Sequence, residues 1–260
     1  MSAGKVIVVT GASSGIGRAL VLEWAKRGAC VVLSARNEAA LAKIAEEAIA
    51  LGGETIVQAG DVTVEQDRLS LIERTLREKG RIDVLVNNAG RGYYAAFRDL
   101  DIKEIERLFA LNVLAPVRLS QLATDPLMRS QGAIVMLSSV AGVVAAPHMG
   151  AYAASKFALE ALSIAMRAEL SASGVRVVVI RPGPVDTPFR DNAIAAGVPA
   201  GVRPPGSRPQ TPEEIARQTV RAVEKRRAVV ETSMFVRIAS FASRVAPPLF
   251  RAIAARMATH

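Results

Sequence analysis

Val6-Ile7-Val8-Val9-Thr10-Gly11-Ala12-Ser13-Ser14-Gly15-Ile16-Gly17 runs from an apolar, β-branched stretch into a glycine-rich turn, and a helical pattern follows over Ile16–Arg27. A strand that is apolar throughout, rather than at alternate positions, is expected to be buried on both faces. Side chains are missing from the turn at Gly11, Gly15 and Gly17, with Ser13, Ser14 and Ile16 between them. Backbone N–H groups there can approach a phosphate closely, at the positive end of the helix that follows. A glycine cluster alone signals only a tight strand-to-helix turn. Its place in the first such turn, where doubly wound sheets bind their ligand, makes it a dinucleotide pyrophosphate site.

The alternation continues outward from that turn. Apolar runs at Cys30–Ser34, Thr55–Gln58, Val84–Asn87, Ala133–Ser138, Val175–Arg181 and Ala228–Glu231 read as further strands. Between them, Glu38–Leu51, Glu65–Lys79, Ile102–Ala123, Tyr152–Ala172 and Pro212–Lys225 carry apolar residues at helical spacing. The pattern predicts one α/β domain over 1–232, a doubly wound Rossmann fold whose mostly parallel seven-stranded sheet is flanked by helices. A Pro-, Gly- and Arg-rich stretch, Pro182–Gln210, is long for a connection and reads as a substrate loop over 188–210, with a short helix around Asp191–Ala196.

Bulk properties narrow the classes. At 260 residues, half of them hydrophobic, the chain can bury a sizeable core. One cysteine, Cys30, excludes an internal disulfide and reads as a buried thiol on a strand. Two histidines offer no metal-ligand spacing, and no metal is expected. Neither a secretory leader nor a membrane span is legible, which leads to a cytoplasmic expectation. The net charge is +9, and residues 201–260 hold eleven Lys/Arg against four Asp/Glu. Few aromatics are interleaved with those cations, so nucleic acid is not an expected partner.

The tip of the second strand reads Ser34-Ala35-Arg36-Asn37, with no carboxylate to bind ribose hydroxyls. Arg36 offers a fork of donors suited to a ribose phosphate, and Asn37 adds neutral ones. NADP(H) is therefore the expected cofactor, with NAD(H) as the alternative. Asp61 either contacts an adenine or caps the helix that begins near Val64.

Taken in order, TGxxxGIG at Thr10–Gly17, Asn87-Asn88-Ala89-Gly90, Asn112, Ser138-Ser139, Tyr152-x-x-x-Lys156 and Pro182-Gly183-Pro184-Val185-Asp186-Thr187 resemble the short-chain dehydrogenase/reductase family. The resemblance implies an NADP-preferring oxidoreductase acting on CH–OH groups, with a small carbonyl or alcohol as partner. It implies catalytic roles for Asn112, Ser139, Tyr152 and Lys156: Tyr152 as acid/base, Lys156 bonded to the nicotinamide ribose, Ser139 on the substrate oxygen and Asn112 on a relay water. Tyr152 and Lys156, four apart, share a helix face, so the cation is expected to lower the phenol pKa. The same likeness sets Asp61 and Val62 on the adenine, Asn88, Ala89 and Gly90 beside the cofactor, and Pro182, Gly183, Val185 and Thr187 at the nicotinamide. Homodimers or homotetramers are expected by likeness as well.

Substrate contacts are expected from Ser139, Val143, Met149, Tyr152 and Phe189, a mostly apolar set that suits a medium-sized lipophilic molecule. Two other functions remain open on this scaffold: a silent cofactor-binding regulator, and an epimerase or dehydratase that recycles its nicotinamide. Residues 233–260 form a basic extension in which Phe235, Ile238, Phe241 and Val245 recur at helical spacing before Pro247-Pro248 and a second stretch, Leu249–Met257. Such a helix suits packing over the substrate loop or a neighbouring subunit, the favoured reading, or peripheral contact with anionic lipid.

Overall fold

In the computed structural model, which describes residues 4–189, 191–196 and 208–245, the opening strand is β1 (Val6–Thr10), every residue of it buried. The chain continues through α1 (Gly15–Ala25), β2 (Cys30–Ala35), α2 (Glu38–Ala50), β3 (Glu54–Ala59), α3 (Glu65–Lys79) and β4 (Val84–Asn87). After β5 (Tyr93–Ala95) come α4 (Ile102–Phe109), α5 (Ala115–Ser130), β6 (Ala133–Leu137), α6 (Gly150–Leu170) and β7 (Arg176–Arg181). The last elements are β8 (Ile194–Ala196), α7 (Pro212–Glu224), β9 (Val229–Glu231) and α8 (Met234–Val245).

Seven strands form one sheet in the order β3-β2-β1-β4-β6-β7-β9, with each neighbouring pair parallel. Parallel neighbours need crossover helices, and those helices bury both faces of the sheet. One apolar cluster joins Ile7, Val9, Leu20 and Trp24 to Ile215 and Val220 of α7, and the other joins Val8, Leu85 and Ile134 to Leu119 and Leu159. This is the doubly wound α/β fold that the strand pattern predicts. Strand order reverses direction between β1 and β4, so the carboxyl ends of the central strands open onto one crevice. Cys30 is buried on β2, as read.

Three stretches differ from the sequence reading. The expected helix Ile102–Ala123 is two helices joined by a π turn at Ala110–Leu114, and the second continues to Ser130 with Pro126 inside it. Asp191–Ala196 is not helical: Ile194–Ala196 is a strand that pairs in parallel with Tyr93–Ala95, from Tyr93 against Ile194 to Ala95 against Ala196. Each is too short to show a period by itself, and each satisfies the other's backbone groups. The bulk of the substrate loop and the stretch Leu249–Met257 lie outside the described residues.

Candidate active site

The turn after β1 is stripped of side chains for geometric reasons. Gly11 and Gly15 have φ of +63° and +52°, where other residues are strained. A Cβ on Gly17 would lie 2.0 Å from the Gly11 carbonyl oxygen, and one on Gly11 would lie 2.8 Å from Ala89 Cα. The turn is thus pressed against the segment after β4. Asn88 ties the two together, its amide donating to the carbonyls of Thr10 (2.8 Å) and Gly11 (3.1 Å), while Thr10 Oγ1 accepts from the N–H groups of Asn88 and Ala89. Asn88 and Ala89 therefore shape the cradle from behind. Ser13, Ser14 and Ile16 sit at its rim with some surface exposed.

At the tip of β2, Arg36 is exposed and makes no ion pair among the described residues. Asn37 is spent locally as the N-cap of α2, its Oδ1 accepting from Ala40 N at 3.0 Å. Asp61 does not cap the next helix, whose N-cap is Val64; it accepts from the backbone and hydroxyl of Thr63 at 2.8 and 2.7 Å. Burial opposes its ionisation, but those bonds and the nearby charges of Arg36 and Arg68 prevail, holding the carboxyl below its usual value. Arg36 thus faces a carboxylate across the rim, and Val62 is buried beneath.

Tyr152 and Lys156 lie near the start of α6, both buried, with the Lys156 Nζ 5.9 Å from the centre of the phenol ring. The ammonium donates to the carbonyl of Leu137, the last residue of β6, at 2.8 Å. It stands close to Gly90, where an added Cβ would come within 3.8 Å of it. Burial lowers the Lys156 pKa to about 8, with Glu160 acting in the other direction. The phenol moves against the sequence expectation: burial, then Tyr94, push Tyr152 well above the ordinary tyrosine value, opposed by a hydrogen bond with Ser139. The ammonium meanwhile is turned to a backbone carbonyl, 5.9 Å from the ring centre, and desolvation governs the phenol.

Ser139 is half-buried and its Oγ accepts from Ala141 N at 3.1 Å. Its neighbour Ser138 is buried against Gly142, with no partner for its hydroxyl among the described residues. Asn112 sits in the π turn, a distortion common at functional sites. Its amide is fully engaged, accepting from Arg91 N and donating to Arg91 O, both at 3.0 Å, and to Ser155 Oγ at 3.1 Å. Ser155 in turn donates to Tyr152 O at 2.7 Å.

Pro182 and Gly183 follow β7, and Val185 makes a parallel bridge with Gln210. That bridge uses Asp186 N and Pro184 O, so the N–H of Val185 itself faces the opposite side. Thr187 reaches the glycine turn: a Cβ on Gly15 would lie 3.2 Å from its Cγ2. Met149, Tyr152 and Phe189 pack together with Ala141 and Ala153, whereas Val143 stands outside that cluster. Tyr94, from β5, and Phe189 flank the Tyr152 ring at 6.2 and 5.9 Å between centroids.

Tyr94, which the sequence offers to the substrate from the segment after Gly90, faces the phenol because β8 holds β5 in place. One feature escaped the sequence reading. Arg181, closing β7, bonds Glu160 of α6 through both guanidinium ends (2.9 and 2.8 Å) and Glu231 of β9 (3.1 Å). Glu160 lies one turn beyond Lys156 on the same helix face, and that spacing was available as a signal. Among the described residues no group of His, Cys, Asp or Glu is placed to hold a metal ion, and no helix is long and apolar enough to cross a membrane.

A family model described as short chain dehydrogenase matches residues 5–196. The chain is 40% identical over 187 residues to a peanut (Arachis hypogaea) protein named 11-beta-hydroxysteroid dehydrogenase A, covering 71% of this chain and 53% of that protein. It therefore spans about half the length of this plant relative. An alcohol dehydrogenase from Thermococcus sibiricus, complexed with 5-hydroxy-NADP, superposes with a TM-score of 0.76 at 30% identity over 88% of this chain and 92% of its own. A short chain dehydrogenase/reductase from Burkholderia phymatum in complex with NAD gives 0.84 at 26% identity, covering 95% of each chain. With the glycine turn, the paired tyrosine and lysine and a family match across most of the described residues, this chain belongs to the short chain dehydrogenase family.

Proposed function

We propose that this protein is an oxidoreductase that moves a hydride between a nicotinamide dinucleotide and a carbonyl compound or secondary alcohol. The observation that carries the reading is the placement of buried Tyr152 and Lys156 with the half-buried Ser139, which hydrogen-bonds the phenol. The residues present fit such a cofactor: a side-chain-free cradle for a pyrophosphate, a guanidinium at the ribose end with no ion pair among the described residues, and a Val185 N–H turned away from Gln210. When bound, the nicotinamide supplies or accepts the hydride. NADP(H) is preferred over NAD(H) because Arg36 meets a ribose phosphate with a fork of charged donors. The complexes of the two structural relatives support a nicotinamide of either kind.

Reduction of a carbonyl leaves an oxygen that needs a proton as its negative charge grows. Burial keeps the Tyr152 phenol protonated, which makes it the donor and leaves a phenolate; in the reverse direction that phenolate takes the alcohol proton and becomes the neutral phenol. Ser139 donates a hydrogen bond to the same oxygen and stabilises its charge. The Lys156 ammonium compensates the phenolate left behind. Asn112 positions the others: by clamping Arg91 and Ser155 it fixes the segment after β4 against the start of α6. Pro182, Gly183, Val185 and Thr187 hold the nicotinamide end.

Tyr94, Met149 and Phe189 give the substrate an apolar wall, suited to a medium-sized lipophilic molecule. The peanut relative's name supports a substrate of that size class. The outward face of α6 is a second apolar surface, with Ala154, Phe157, Ala161, Ile164 and Ala168 exposed at helical spacing. A homodimer or homotetramer would bury it. Tyr152→Phe tests the central assignment. The variant should bind NADPH, followed by fluorescence, while turnover across a carbonyl panel falls about 100- to 10,000-fold. Near-normal turnover would remove Tyr152 from the chemistry.

A further inference from the structure

The helix α8 has two faces of opposite character. Its inner face carries Val236 and Ser240, both buried, and packs on β9 and on the Val140–Gly142 turn. Val236 Cγ2 would lie 3.1 Å from a Cβ on Gly183, so this helix backs the segment proposed to hold the nicotinamide. Its outer face carries Met234, Ile238, Phe241 and Val245, spaced four, three and four apart and exposed by 62–69%. Such spacing sets four large apolar side chains in one stripe along the helix. Arg237 is exposed beside it, and residues 232–260 contain Arg237, Arg244, Arg251 and Arg256 with no Asp or Glu at all.

We infer that the outer face of α8 docks the protein on an anionic lipid surface, the apolar stripe entering the headgroup boundary and the arginines pairing with lipid charge. Three observations favour lipid over other occupants. An apolar stripe with the exposed Arg237 beside it, on a segment of sequence that carries no acidic residue, complements a surface that is apolar below and negative above. A second copy seated on this stripe would set one acid-free, arginine-bearing segment against another, with no opposite charge in either. Four side chains on a three-turn helix also fall short of the roughly 1,000 Å² that a stable protein contact buries. The attachment is peripheral, since no helix among the described residues can span a bilayer. Because α8 backs Gly183, docking would bring a wall of the candidate site up to the lipid. The inference stands apart from the hydride-transfer reading, whose failure would leave it intact.

The test is co-sedimentation of the 260-residue chain with vesicles of phosphatidylcholine alone or mixed with phosphatidylglycerol. Binding should require the anionic lipid and decline in about 1 M salt, where charges are screened beyond about 3 Å. Ile238→Asp/Phe241→Asp alters only exposed positions and should keep the wild-type melting temperature while losing at least about tenfold in vesicle partition. Arg237→Glu should lose about tenfold on the mixed vesicles and nothing on phosphatidylcholine. Wild-type protein left in the supernatant of the anionic vesicles would overturn the inference. So would equal binding to phosphatidylcholine alone, or an assembly in solution that forms without lipid and is split by the double Asp variant.

Discussion

Lys156 holds its charge at a cost to the fold. Its pKa stands at about 8 in the folded protein against an ordinary 10.5. Between those values the unfolded chain binds a proton that the folded chain has released, so stability rises with pH across that window. Below pH 8 both states are protonated and the whole penalty is present. Replacing the ammonium with an apolar side chain should remove it. Lys156→Met is expected to gain about 1–3 kcal/mol at pH 7 in urea unfolding while turnover is lost, part of the gain being offset by the charge partner that Glu160 forfeits. The gain should shrink between pH 8 and 10.5; a gain constant with pH would mean that the burial of charge is not its cause. At the opposite end of the crevice, Arg36→Asp should weaken NADPH far more than NADH in direct titration. Equal weakening of both would return Arg36 to an ordinary surface role.

Between elements, Arg181 joins α6 to β7 and β9. With Arg181 gone, Glu160 would remain buried without the two charge-assisted hydrogen bonds that Arg181 donates to it, which costs more than the pair itself is worth. Arg181→Met should lower stability by about 3 kcal/mol in urea melts, and the double variant Glu160→Leu/Arg181→Met should recover a good part of the loss. No recovery would show that the arginine acts through packing alone. Such ties explain what could be read from the chain and what could not. The central strands of the main sheet were legible because a strand buried on both faces is apolar nearly throughout, as Val6–Val9 and Ala133–Leu137 are. The glycine turn was legible because close approach excludes side chains. Tyr93–Ala95 and Ile194–Ala196 were not, since three residues carry no period and their partner lies far off in sequence. The expected end of the helix at Ala123 was short as well: α5 runs on to Ser130 with Pro126 buried inside it. The catalytic spacing pointed to Tyr152 and Lys156, but not to the direction of the phenol shift, because burial is a property of the packed site rather than of two residues four apart.

Across the molecule, the sheet gathers the carboxyl ends of β1, β4, β6 and β7 around one crevice, and every candidate group reaches it from a different stretch of chain. Glycine turn, ribose tip, phenol and nicotinamide segment come from residues 11–17, 36, 152 and 182–187. The flank that α6 presents and the stripe on α8 lie on separate elements, so self-association and surface docking need not compete. The small sheet of β5 and β8 has a kinetic consequence. Its two strands are about a hundred residues apart in sequence, and three-residue strands repay little of the loop-closure entropy that bringing them together requires. They can meet only after the central sheet has fixed both ends of the intervening chain. After dilution from denaturant, far-ultraviolet ellipticity should therefore return ahead of enzymatic turnover, and simultaneous recovery would show that the pocket wall forms along with the sheet.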